Sequence, residues 1–304
     1  MEHLAYVLTR STRRGAGKQV TTLNTLFGVV GDEALYTRVV VISQRRTELF
    51  YSTLLGALLD RMCLVLSITM ADIAWESFTL DFETALIPAL TMLSSVAFVP
   101  LGRSLLLDGC FFHFAAALFK YLCSVGLKVE YGEEPYELKL FLKRLTALAF
   151  CDPNEIPATF LLIVANHWPA SIAVGDNRLV QFLEYMDRQW IHNPKVPIAM
   201  WSVFNVERHR TNNKLESKHK YMRTIFGVHQ PLWTFLEKLG IFFKRELEDE
   251  RSHRVQAQST HRPQEKKVAH TEKRLNRQKE MYVQKQITAL QYVLAIAGER
   301  FLRR

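Results

Sequence analysis

Cysteine is scarce in this 304-residue chain, and the four present (Cys63, Cys110, Cys123 and Cys151) are widely spaced and form no Cys-x-x-Cys pair. That pattern excludes a disulfide scaffold and points to a reducing compartment. Long apolar runs are also missing. The most apolar region, Tyr51 to Ala71, is broken by Asp60-Arg61, short of the ~18 uninterrupted apolar residues of a membrane helix. The opening Met-Glu-His-Leu-Ala-Tyr-Val-Leu-Thr-Arg has too short an apolar stretch for a secretory signal, so a soluble, intracellular protein is expected. Arg13-Arg14-Gly15-Ala16-Gly17-Lys18 lacks both the four-residue spacer between glycines and the Ser/Thr after Lys, which excludes a phosphate-binding loop. Acidic residues are in deficit, 30 against 39 Lys and Arg, giving a net charge of +9 and a pI near 9.4. Such a balance favours a polyanionic partner, nucleic acid first and an anionic membrane surface second.

What is present is enough for a real core: 48% of the residues are hydrophobic, and the length allows one large domain or two small ones. After a basic, turn-rich segment over 1–19 come two β-prone runs, Leu23 to Val30 and Leu35 to Ser43, joined by Gly31-Asp32-Glu33 as a hairpin turn. A helix over Thr47 to Met62 follows, then a short strand Phe78-Thr79-Leu80 ending at Asp81, a helix over Phe82 to Leu93 with Pro88 inside it, and another strand over Ser95 to Pro100. This is an α/β order with a hairpin at its start. Beyond it the pattern turns helical, over Phe112–Gly126, Pro135–Phe150, Pro153–Val164 and Leu179–Trp190, before a strand-like piece at Ile198 to Phe204. The expected division is therefore a core over 20–104, a helical insertion over 105–196, and a return to the core over 197–240.

The remainder, 241–304, reads as a charged helical extension. An aromatic helix starts at Pro231 and runs into the charged stretch Lys244 to Glu280, either a solvated face or, given its Lys, Arg and His, a nucleic-acid contact. A last helix over Tyr282 to Phe301 places Val283, Ile287, Leu290, Val293 and Ile296 on one face, for packing on the body or on another chain.

Three places carry candidate chemistry. In Arg210-Thr211-Asn212-Asn213-Lys214-Leu215-Glu216-Ser217-Lys218-His219, an Asn caps a helix along which Leu215, His219, Met222 and Phe226 recur, with Glu216 beside Lys220 and Arg223. Asn213 and Glu216 make a capping box, and Glu216 with Lys220 an i,i+4 pair; the same carboxylate is a candidate ligand. Asp81 at a strand end either caps the next helix or, with Glu216, offers oxygen ligands to magnesium or manganese. Two such ions activate water and steady a leaving oxygen in phosphodiester cleavage, a task that normally takes three carboxylates. Cys110-Phe111-Phe112-His113 is half a zinc site or a packed core turn; His167, His192, His209 and Cys151 do not complete it at matching spacing.

Taken in order, Asp81-Phe82-Glu83-Thr84-Ala85, Gly109-Cys110-Phe111-Phe112-His113-Phe114, Gly126-Leu127, Tyr131 and Leu145-x-Ala147-Leu148-Ala149-Phe150 form a pattern. It continues through Leu183-x-Tyr185, Trp190, Pro197, Trp201, Arg210-Thr211-Asn212-Asn213 with Glu216 and His219, and His229-x-Pro231-x-Trp233. Over roughly residues 20 to 300 the chain resembles the Mutator-like element (MULE) transposases of the animal type. The resemblance implies an RNase H-like DDE core with an all-helical insertion, a pair of Mg2+ or Mn2+ ions, action on transposon-end DNA, and a nuclear location. It matches Asp81 to the second catalytic Asp, Glu216 to the catalytic Glu, and Cys110 and His113 to the family's Cys-x-x-His. Arg210, Asn212, Asn213, Lys220 and Arg223 are then DNA-binding candidates, no membrane partner is expected, and a homo-oligomer is possible.

One departure decides the expected activity. Family members carry the first catalytic Asp in an Asp-Gly-Thr-Phe segment on the first strand, whereas Glu2 is the only acidic residue between Met1 and Val30, and Asp32 lies at the wrong end of the hairpin. The first strand is expected to be truncated or overwritten, and DNA-binding modules that often precede such a core are not found in this sequence. Losing one member of a catalytic unit removes most of its rate. The expectation is a transposase-derived protein without normal transposition, the alternative a non-catalytic DNA-binding or interaction protein.

Overall fold

A run of eleven residues, Leu4–Arg14, forms a strand, β1, in a segment whose Arg and Gly content suggests a basic tail. The computed structural model describes residues 4–14, 20–30, 34–43, 47–73, 75–206, 221–222, 224–226, 232–256 and 266–298. The chain divides into two units, Met1–Cys110 with Thr211–Thr260 and Phe111–Arg210 with His261–Arg304. The first unit thus runs through Gly109 and Cys110 rather than closing at 104, and residues 197–210 belong with the helical unit.

In the first unit β1, β2 (Val20–Val30) and β3 (Ala34–Ser43) pair antiparallel in succession. After α1 (Glu48–Leu66), β4 (Trp75–Leu80) returns parallel to β1, and after α2 (Leu86–Leu93), β5 (Leu106–Gly109) lies parallel to β4. The five strands take the order β3-β2-β1-β4-β5, an α/β arrangement. The expected truncation of the first strand is therefore corrected: β1 is present, bonded on both edges. Tyr6, Val7, Thr9 and Thr12 have the β-branched and aromatic character that a paired strand accepts, and the basic residues among them obscured it.

Thr47 caps α1, its hydroxyl accepting from the Phe50 N–H at 3.2 Å. Among the described residues α1 is the one helix long and apolar enough to cross a membrane by length and composition, although Asp60 and Arg61 interrupt it. It buries Tyr51, Leu55 and Leu59 and packs against α2. α2 begins at Leu86 rather than at the expected Phe82, which puts Pro88 in the first turn, where its missing N–H leaves no hydrogen bond unmade. The strand expected at Ser95 to Pro100 is instead helical, a π turn over Ser94–Phe98 and a 3-10 turn over Val99–Leu101. A short apolar run does not separate the two by periodicity; the Ser94 hydroxyl, accepting from Leu105 N–H at 3.0 Å, fastens the turn to the start of β5.

The second unit is helical throughout its described residues: α3 (Phe111–Ser124), α4 (Lys128–Gly132), α5 (Glu137–Ala147), α6 (Ile156–Asn166), α7 (Asn177–Met186) and α8 (Ile198–Trp201). The strand-like reading of Ile198 to Phe204 is corrected to this last turn. Pro197 sets its entry at φ −61°, and beyond it the Val203 N–H donates to Ala149 O at 2.7 Å. The centre is aromatic. Trp201, fully buried, stacks on Phe114 at 4.6 Å, while Trp190 meets Phe114 edge-on at 4.9 Å. The Trp201 indole donates to Trp190 O at 2.8 Å.

Toward the C-terminus, α9 (Leu232–Gln256) belongs to the first unit and contacts β3. There Phe235 and Phe242 are buried with Met222 and Phe226. α10 (Lys266–Val283) and α11 (Ala289–Ala297) belong to the second. The single helix expected over Tyr282 to Phe301 is thus two, parted where Lys285 takes a left-handed φ of 59° and Thr288 opens α11 with a capping box to Gln291. Val283 and Ile287 fall outside α11, whose buried residues Tyr292, Val293 and Ile296 pack it on α5 and α6.

Trp201→Ala is expected to destabilise the protein by about 3–5 kcal/mol. Trp201→Phe keeps a ring against Phe114 but orphans Trp190 O, a loss of about 1–3 kcal/mol. Urea unfolding checks both, and a Trp201→Phe variant as stable as the wild type would show that packing alone, not the indole hydrogen bond, holds this centre.

Candidate functional site

Asp81 follows directly on the last residue of β4, where parallel strands deliver side chains to a crevice at their C-terminal ends. It is half-buried. It does not cap a helix, because α2 starts five residues on and its N-cap position is Ala85; that alternative is corrected. The turn between them is tight. Phe82 holds a left-handed φ of 62°, a conformation that a bulky side chain adopts at a cost of about 1–3 kcal/mol. This bend stops the strand at Asp81 instead of letting the chain run straight into helix.

The ladder carries a second carboxylate that composition and motif did not single out. Thr79 pairs with Val7 of β1 on one side and with Asp108 of β5 on the other. Strand alternation therefore sets Thr79 and Asp108 on one face, with Asp81 two residues past Thr79. The Cys110 N–H donates to Leu80 O at 2.7 Å, which extends the β4–β5 ladder one step beyond Gly109. Burial pushes the Asp108 carboxyl above the usual carboxylate range, and no hydrogen bond or ion pair to it is found among the described residues. The available signal was Leu105-Leu106-Leu107-Asp108-Gly109, an apolar run ending in turn residues.

The third strand of this neighbourhood brings no acid. Continuing the β1–β4 register two residues past the Val7–Thr79 pair reaches Thr9, and none of the residues Leu4 to Arg14 is acidic. Glu216, Arg210, Asn212, Asn213, Lys220 and Arg223 lie outside the described residues. Among the described residues no group of three or more His, Cys, Asp and Glu is placed to hold a metal ion.

Cys110 and His113 fall on either side of the unit boundary. Cys110, fully buried, ends the first unit, and His113 lies in the first turn of α3 in the second. His113 Nδ1 is buried and has no hydrogen-bond partner among the described residues. Of the other zinc completions, His209 lies outside the described residues. His192 pairs with Asp187 at 3.0 Å, and the backbone N–H of His167 closes α6 onto Ile163 O at 2.9 Å. The Cys151 thiol is pushed far up by burial and by Glu155 and Asp152, so it is held as a thiol, inert as a nucleophile.

In the second unit Tyr282 donates its hydroxyl proton to the Glu155 carboxylate and accepts from the Asp152 N–H at 3.2 Å. Lys285 pairs with the same carboxylate at 3.3 Å. Burial first, then Glu155, pushes the Tyr282 phenol well up, which fixes it as a donor. Lys279 donates to Phe204 O at 2.5 Å and lies 4.8 Å over the Phe204 ring, closing a cleft lined by Phe150, Val203, Leu275 and Tyr292. The bonds of Tyr282 and Lys279 fasten α10 to Glu155, Asp152 and Phe204.

Because the folded state raises the Asp108 pKa, its contribution to stability is complete below the ordinary value of 3.8 and is lost as pH rises through the folded value. Asp108→Asn is therefore expected to raise the urea midpoint at neutral pH and to give no gain under more acidic conditions. An equal effect at both would mean that the carboxyl is fully solvated.

Compared with known proteins, the chain matches no family model and no curated protein.

Proposed function

We propose that this chain is a transposase-derived DNA-binding protein. In this reading it keeps an RNase H-like core interrupted by an all-helical insertion, resembles the DDE-type MULE transposases, and has lost normal strand cleavage and transfer. The observation that carries the reading is the sheet: an antiparallel β1-β2-β3 hairpin series with β4 and β5 added parallel on the other side, and Asp81 at the exit of β4. That is the framework a core of this kind needs to bring a strand-end carboxylate to a helix-borne one. The loss of activity rests on β1, which is in place beside β4 but supplies no carboxylate. A metal pair held by Asp81 and Glu216 alone is under-ligated, so no catalytic step is assigned to Mg2+ or Mn2+.

What remains is the basic charge, with nuclear DNA as the partner it suits. Non-specific DNA binding should weaken steeply with salt, with a log–log slope of about −0.9 for each phosphate neutralised. Incubation of the full chain with supercoiled DNA and manganese should give no nicking above background. Robust nicking abolished by Asp81→Asn and by Glu216→Gln would overturn the loss of activity. Binding that is undetectable or indifferent to salt would overturn the DNA partner.

A further inference from the structure

The positive charge of the second unit is concentrated in one of its two chain segments. Residues 111–210 hold ten Lys and Arg against ten Asp and Glu, whereas residues 261–304 hold eleven against four. That last segment thus carries a formal +7 of the chain's +9. α10 is its longest helix.

One side of α10 is fastened. Leu275 and Tyr282 are buried, Tyr282 is bonded to Glu155, and Lys279 is drawn onto Phe204. The helical repeat of 3.6 residues sets Lys273 and Arg277 on the side opposite Leu275 and Tyr282. Both are exposed, and neither has an ion-pair partner among the described residues. Lys266 and His270 precede them in the sequence at the same spacing, completing i, i+4, i+7, i+11, and Glu280 follows at i+14 as the acidic residue that ends the row. The row from 266 to 277 spans about 16 Å at 1.5 Å per residue.

Such a row, on a helix whose other side is held by apolar burial and two polar ties, suits a regular line of negative charges. A DNA duplex carries one phosphate per ~1.7 Å of its axis. We propose that α10 is the element that tracks the DNA phosphate backbone, with Lys273 and Arg277 as its central contacts. The proposal rests on the DNA-binding reading above and names the surface that performs it. Because phosphates carry no sequence information, this surface positions the protein on DNA without selecting a site.

The test uses the full chain and a duplex oligonucleotide of arbitrary sequence, titrated over a range of salt concentrations. Lys273→Gln with Arg277→Gln should make the log–log salt slope shallower by about 1.8 and weaken binding about ten- to a hundredfold near 0.1 M salt. The urea midpoint should be unchanged, since both positions are exposed. A control pair in the same unit, the exposed Lys128→Gln with Lys195→Gln, should leave the slope in place. If the wild type binds with a steep slope and the α10 pair leaves it unaltered, or the control pair lowers it equally, the DNA reading stands and the assignment to α10 is overturned. If the wild type binds no DNA, the underlying reading fails and the assignment goes with it. If the α10 pair abolishes binding to phosphatidylserine vesicles while DNA binding is untouched, the surface is a membrane contact and the proposal is overturned.

Discussion

β1 is bonded along both edges, antiparallel to β2 and parallel to β4, and the rest of the first unit depends on that double pairing. An antiparallel hairpin series can stand by itself, but β4 and β5 are short parallel strands reached by helical connections, and parallel pairing needs an established edge to add to. β1 supplies that edge. It sets the register through Val7 and Thr79, and that register places Asp81 at the sheet's exit and Asp108 across the ladder on β5. A slip of one residue would exchange the two faces of β4 and turn Thr79 away from Asp108. The position of both carboxylates is thus a consequence of a strand that contains neither.

In the transposase-derived reading proposed above, the same strand limits the chemistry. A divalent ion pair is held by charge neutralisation as much as by geometry, and β1 contributes threonines and arginines where a carboxylate would be needed. Asp108 is no equivalent. It sits on β5 rather than β1, and burial raises its pKa, which makes the carboxylate costlier there than in solvent. The left-handed Phe82 keeps Asp81 clear of α2. Strain of that kind persists only when the surrounding structure over-determines it, here through the β4–β5 ladder on one side and α2 on the other.

Much of this was legible in the sequence, for identifiable reasons. β2 and β3 are uniform β-prone runs between turn residues, and α3, α5, α6 and α7 have apolar residues at helical period, so local preference and tertiary structure agree. Asp81 at a strand end was legible because Phe78-Thr79-Leu80 is apolar and β-branched. β1 was not, since its arginines and flanking glycines suggest a solvated tail, and only the pairing on both sides makes it a strand. Ser95 to Pro100 and Ile198 to Phe204 were misjudged because a short apolar run fits either period, and hydrogen bonds from Leu105 to Ser94 and from Val203 to Ala149 decide between them. Asp108 was missed because its significance lies in its partner across the ladder. The helix expected around Glu216 falls mostly outside the described residues, and its capping box stays an inference from spacing.

The second unit shows how a basic surface is made from a helix that must also pack. A lysine-rich helix has little apolar area with which to dock, so most of its attachment must come from few residues. α10 uses Leu275, Tyr282 and Lys279, and two of these are polar. Lys279 places its ammonium on a carbonyl and over an aromatic face, which removes one cation from the outer surface but orients the others. Tyr282 covers Tyr292 with its ring, stacked at 4.8 Å, and gives its proton to Glu155. The helix is thereby held in one rotation about its axis. A cationic row is useful for tracking a duplex only if that rotation is fixed, since a turn of 100° about the axis would carry Lys273 and Arg277 toward the flank. The polar ties beneath α10 therefore determine which of its charged side chains face outward.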